Sequence, residues 1–144
     1  MKESKLQAEM VMAFSQEYPE LDGLLWSTRN TTFSQRDGQK QKAMGMKAGV
    51  SDLMFYFQGT LYCFEIKAHG STHSKDHIRR QMEWGKSIEF NSGKWFICKS
   101  KESFLIAIKS IVNNDWGLLI VEDLLSRIEV EYQLYSDNSK TIKF

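Results

Sequence analysis

Val50-Ser51-Asp52-Leu53-Met54-Phe55-Tyr56-Phe57-Gln58-Gly59-Thr60-Leu61-Tyr62-Cys63-Phe64-Glu65-Ile66-Lys67 is the stretch that decides the fold. Its two halves, Val50 to Phe57 and Thr60 to Lys67, are rich in β-branched and aromatic residues. Gln58-Gly59 between them is turn chemistry, so the stretch reads as a β-hairpin with a two-residue turn. In that register Phe57 faces Thr60, and Asp52 falls opposite Glu65, their Cβ atoms roughly 4.5–5.5 Å apart. Lys67 lies two residues beyond Glu65 and shares its face, whereas the Ile66 side chain points the other way. Two like charges ~4 Å apart cost about 4 kcal/mol at an effective dielectric near 20. The pair is therefore relieved by a proton on one acid or by a cation between them. Carboxylate oxygens with the nearby Ile66 carbonyl suit Mg²⁺ or Mn²⁺. Such an ion makes water a usable nucleophile near neutral pH, and a phosphodiester is the target its charge would draw. A plainer reading stays open at this point: Asp52 caps a turn near Gly49, and Glu65 only pairs with Lys67.

Outward from the hairpin, an α/β alternation follows. Glu3 to about Glu17 reads as an amphipathic helix, with Leu6, Met10, Ala13 and Phe14 at helical spacing and Tyr18-Pro19 as its stop. Leu24 to Arg29 is a short strand. Asn30 to Asp37 is a polar loop, and Gln39 to Lys47 a short helix before Gly49. His69 to Ser74 reads as a loop. A helix opens at Ser74 or Lys75 and runs to about Phe90, where Asn91-Ser92-Gly93 stops it. Lys94 to Lys99 is a third apolar strand, and Glu102 to Val112 a helix. Trp116 to Val121 and Ile128 to Tyr135 read as strands. Trp26, Trp84, Trp95 and Trp116 read as core.

The chain has 144 residues, 19 basic and 18 acidic, which fits one domain, 1–144, and excludes a uniformly basic coat for nucleic acid. The charge is nevertheless uneven. Arg29 to Val50 holds five basic residues and one acid, while Asp115 to Asp137 holds six acids and one arginine. That asymmetry implies one basic face for a polyanion and an acidic region directed elsewhere. The apolar runs fall short of the roughly 18 residues a membrane span requires. The charged opening MKESKLQAEM is unlike a signal peptide. Cys63 and Cys98 sit in apolar runs and read as reduced core thiols. The expectation is a cytoplasmic protein with no membrane partner.

The order Gly49-Val50-Ser51-Asp52-Leu53, then Glu65-Ile66-Lys67, then Gln81, resembles the PD-(D/E)XK nuclease signature. More closely, the chain resembles the virus-type replication-repair nuclease (VRR-NUC) branch common in phages. Glu3 with Leu6-Gln7, Tyr18-Pro19-Glu20-Leu21, Asn30, the approach from Lys42 to Val50, Ser74 and Gly93 extend the likeness over about residues 3–100. Ser51 departs from it, standing where that family usually has Pro. The resemblance implies a restriction-endonuclease-like α/β fold, a mixed sheet flanked by helices. It also implies Mg²⁺-dependent (or Mn²⁺-dependent) hydrolysis of DNA, with branched or junction substrates and a homodimer by analogy. Carried over residue by residue, Asp52, Glu65 and the Ile66 carbonyl would hold the metal, and Lys67 would position the attacking water. Gln81 would orient the site from the following helix. Glu3 would reach in from the first helix, in preference to Glu9, which is about 240° further round.

Lys40, Lys42 and Lys47, ahead of the catalytic strand, and Arg79 and Arg80 on the mid-chain helix are candidates to hold a nucleic-acid backbone. His69, His73 and His77 recur every four residues. On a continuous helix they could bind Zn²⁺, but Gly70 and Ser71 favour surface exposure or phosphate contact. Two other functions fit the same residues: a DNA-binding module that keeps the fold without catalysis, and a hydrolase acting on sugars or nucleotides.

Overall fold

The computed structural model describes residues 1–28, 35–136 and 138–144, and of residues 35 and 118–125 the backbone alone. The hairpin forms in the expected register. Strand β2 (Leu53–Phe57) pairs antiparallel with β3 (Thr60–Ile66), with Phe57 opposite Thr60 and Leu53 opposite Phe64. Gln58 and Gly59 both take positive φ, 46° and 86°, the geometry of a type I′ turn whose twist matches the strands it joins. Strand β1 (Leu25–Ser27) adds antiparallel to the outer edge of β2, and β5 (Lys94–Cys98) adds parallel to β3. The sheet order is β1-β2-β3-β5. The chain is thus mixed α/β, with a mixed sheet flanked by helices.

Alternation along the strands divides the core in two. Leu53, Phe55, Tyr62, Phe64, Ile66, Phe96 and Cys98 face α1 (Glu3–Glu17) and α4 (Lys101–Asn113). Helix α1 meets them with Leu6, Met10 and Phe14, spaced four apart on one stripe. Met54, Cys63, Trp95 and Ile97 face the opposite way, toward α3 (Lys75–Phe90) and the C-terminal elements. Helix α3 supplies the crossover that a parallel β3–β5 pair requires. Its N-cap is Ser74, whose hydroxyl accepts from His77 N–H. It approaches closely because residue 85 is glycine: a Cβ there would lie 2.4 Å from the Trp95 ring.

Four expectations are corrected. Trp116 to Val121 and Ile128 to Tyr135 are not strands; α5 (Gly117–Ser136) is one continuous helix. Ile128, Val130, Tyr132 and Leu134 alternate by accident. Val130 and Leu134, four apart, are buried, while Ile128 and Tyr132 are exposed, as a helix dictates. The short helix before Gly49 is α2 (Gln35–Ala43), so it starts and ends earlier than read and takes in Gln35 to Asp37 of the expected loop. Residues 30–34 of that loop, Asn30 among them, lie outside the described residues. Trp26 is 43% exposed rather than core, because β1 is a sheet edge. The segment read as loop before α3 contains β4 (Thr72–Ser74), which pairs with β6 (Thr141–Lys143) in a small antiparallel ribbon.

The described acids of α5 are matched by basic side chains. Arg127 makes two 2.8 Å hydrogen bonds to Glu89, and Glu129 and Glu131 lie 4.0 and 3.8 Å from Lys99 and Lys86. Among the described residues no helix is long and apolar enough to cross a membrane.

Candidate active site

Continuing the β2–β3 register one step past Leu53 and Phe64 brings Asp52 opposite Glu65. Both side chains belong to the sheet face that α3 covers, at its open end. There a cleft of about 550 Å³ is bordered by Glu3, Asp52, Glu65, Ile66, Lys67 and Gln81, together with Lys2, Lys47, His73 and His77. The six residues expected to form the centre are therefore brought together from α1, the hairpin and α3.

Each is held by an identifiable contact. Asp52 Oδ2 accepts from the Ile66 N–H at 2.9 Å, tying the first acid to the strand that carries the second. Gln81 Nε2 donates to Glu65 Oε1 at 2.7 Å, and Lys67 Nζ lies 3.7 Å from the same oxygen. Glu65 and Lys67 are almost wholly buried. Ile66 borders the cleft, but its side chain belongs to the core on the other face. Ahead of Asp52, Gly49 adopts φ +82°, and a Cβ on it would lie 3.0 Å from the Arg80 carbonyl oxygen. A residue without Cβ thus lets the approach to the acid lie against α3 beside Gln81. The Thr28 hydroxyl donates to the Ser51 carbonyl, and Thr28 N–H donates to Asp52 O at 3.1 Å.

Glu65 has the most perturbed environment. Burial, then the charge of Asp52, push its carboxyl up to about 9 despite the opposing pull of Lys67. Two buried oxygens here, Glu65 Oε2 and Gln81 Oε1, have no hydrogen-bond partner. Acceptors gathered without donors form a place for a proton or a cation. Two carboxylates with the Ile66 carbonyl are a donor set of hard oxygens that fits Mg²⁺ or Mn²⁺, which keep several waters. No group of three or more His, Cys, Asp or Glu side chains is arranged to hold an ion among the described residues, so water would complete the shell.

Glu3 enters from α1 as expected, and Glu9 lies instead in a separate hollow beside His69. Glu3 is anchored by contacts the sequence did not disclose. Its Oε1 accepts from Ala68 N–H (3.3 Å) and Ser71 Oγ (3.2 Å) and meets His73 Nε2 at 2.8 Å. The histidines do not share one helix face, because β4 interrupts the spacing. His73 and His77 stack at 6.1 Å in the cleft, while His69 is exposed away from it. Burial, then the charge of Lys67, holds His77 below its ordinary range.

Among the basic candidates, Lys47 borders the cleft, and Lys40, Lys42 and Arg80 are exposed. Arg79 is turned to Asp76 (3.2 Å) and the Leu134 carbonyl (3.4 Å). Lys2 joins the cleft although nothing in its sequence context singled it out. The Ser51 departure has a local reason: its buried hydroxyl accepts from Trp95 Nε1 at 3.0 Å, a bond that proline could not provide. Compared with family models, curated proteins and solved structures, the chain matches none.

Proposed function

We propose that the chain is a metal-dependent nuclease of the PD-(D/E)XK kind, on a restriction-endonuclease-like fold, that hydrolyses phosphodiester bonds of DNA. The observation that carries this reading is the Asp52–Glu65 pair. Asp52, just ahead of β2, and Glu65 on β3 lie at the mouth of a cleft, with a buried Glu65 oxygen lacking any donor and Lys67 beside it. A structural ion pair would match Glu65 to Lys67 alone. It would not bring a second acid to it, at a cost in repulsion.

A divalent cation held by Asp52, Glu65 and the Ile66 carbonyl would supply Lewis-acid polarisation of the phosphate and a more acidic water. The chain's own groups do the rest. Gln81 fixes the Glu65 carboxylate through Oε1, and Ile66 N–H fixes Asp52, so neither acid has to reorganise during reaction. The Lys67 ammonium donates to the attacking water and holds it in line. Lys2 and Lys47 at the cleft border offset phosphate charge. Supercoiled, single-stranded and branched DNA, each incubated with Mg²⁺, with Mn²⁺ and with chelator, test the reading. Cleavage that requires the metal is expected. Binding without cleavage in either metal would replace the reading with that of a DNA-binding module, and no binding at all would remove DNA as the partner.

A further inference from the structure

The segment after α5 has no part in the reading above, yet it ends beside the proposed catalytic lysine. The Phe144 ring is buried, with its centroid 5.6 Å from Lys67 Nζ and 5.9 Å from Lys99 Nζ. The His73 ring meets it edge-on at 5.6 Å. This placement is built from several directions. Strand β6 pairs with β4 through Thr72–Lys143, His73–Ile142 and Ser74–Thr141. Phe144 N–H donates to the Ser71 carbonyl at 2.9 Å, and Gly70 N–H donates to the Phe144 carbonyl. Helix α5 clamps the other edge of the strand. The Gln133 amide donates to Lys143 O at 3.2 Å and accepts from Lys143 N–H at 3.3 Å, as a neighbouring strand would. Ile142 is fully buried against the α3 side of the core.

We propose that Phe144 is a positioning residue that holds the Lys67 ammonium in its working orientation through the face of its ring; this rests on the nuclease reading of the cleft. A lysine ammonium is a point charge on a flexible stem. Its carboxylate neighbour, Glu65 at 3.7 Å, also holds Gln81 at 2.7 Å, so that acid is shared and does not orient the ammonium alone. Attraction to the face of the Phe144 ring is a second hold, from another direction. The same ribbon carries His73, which meets Glu3, so one C-terminal strap braces two sides of the cleft.

The test compares wild type, Phe144→Leu and Phe144→Tyr, by steady-state cleavage of DNA in Mg²⁺ and by NMR of the Lys67 ε-methylene protons. Leucine fills the space without a π face, and tyrosine restores the face. The expected result is a roughly tenfold fall in kcat for Phe144→Leu with KM unchanged, and recovery to within about twofold in Phe144→Tyr. The Lys67 protons should carry an upfield ring-current shift in wild type and Phe144→Tyr that Phe144→Leu loses. A Phe144→Leu chain that cuts as fast as wild type, or a loss that tyrosine does not recover, overturns the inference. So does a wild-type Lys67 resonance without the shift, a readout that needs no activity. A wild-type chain that cuts no DNA overturns the nuclease reading itself, and is thus told apart from failure of the Phe144 assignment.

Discussion

Phe64 and Glu65 are neighbours in the chain and occupy opposite worlds. Phe64 packs between Phe96, at 5.3 Å, and Phe104, at 5.1 Å, in a dry core under α1 and α4. Glu65 is as deeply buried, but it faces a second acid, a lysine and an amide. The same strand, with side chains alternating every residue, supplies one face that is apolar throughout and a second whose open end is polar and costs stability. The difference teaches where the stability resides: the α1–α4 face holds the sheet together well enough for the α3 face to carry repelling carboxylates at its open end.

Removing one side chain from each face separates the two roles most strongly. Phe64→Ala should lose about 3–5 kcal/mol of stability, measured by denaturant unfolding in the presence of chelator. Glu65→Gln should lose less than about 1 kcal/mol, or gain stability, because an amide of the same shape replaces a buried carboxyl that is costly to ionise beside Asp52, while cleavage falls by about 10³-fold. If Glu65→Gln destabilises the chain as much as Phe64→Ala, the acid is part of the scaffold and the contrast between faces is false.

The contrast also has a pH signature. Burial, then Asp52, raise the Glu65 carboxyl in the folded chain to about 9. The native state therefore binds a proton that the unfolded state has released. That contribution is fully present below the ordinary carboxylate range and is lost as pH climbs toward 9. Metal-free wild type should lose stability across this window. Glu65→Gln should show a flatter profile in the same unfolding experiment, whereas parallel profiles would count against the buried acid.

A smaller effect sharpens the boundary between the faces. Ser51 and Trp95 join the approach to Asp52 to β5 by one buried bond. Ser51→Ala leaves the indole N–H without its acceptor and should cost about 1–3 kcal/mol, read by thermal or denaturant unfolding. A neutral result would mean that the indole finds another partner.

Much of this was legible in the chain itself. Gln58-Gly59 between two β-rich runs determined the turn, the turn determined the register, and the register brought Asp52 to Glu65. Leu6, Met10 and Phe14 announced α1. What stayed hidden depends on partners distant in sequence. Ile128 to Tyr135 alternates like a strand, and only packing of Val130 and Leu134 under the sheet shows it to be a helix. Thr141–Lys143 is too short to announce a strand, and it becomes one because β4 and Gln133 offer it hydrogen bonds. The Glu3–His73 contact spans 70 positions, and the spacing of the histidines gave no sign that His73 and His77 would enter the cleft while His69 stays outside it. The bond from Trp95 to Ser51 joins positions 44 apart, and nothing beside Ser51 in the chain announces it.

Titration of Mn²⁺ into the metal-free chain by calorimetry addresses the central claim most directly, with wild type compared against Asp52→Asn and Glu65→Gln. One ion per chain should bind to wild type, and neither variant should bind it while both keep the wild-type fold by circular dichroism. A wild type that takes up no ion, or variants that bind it as wild type does, would contradict an ion shared between these two acids.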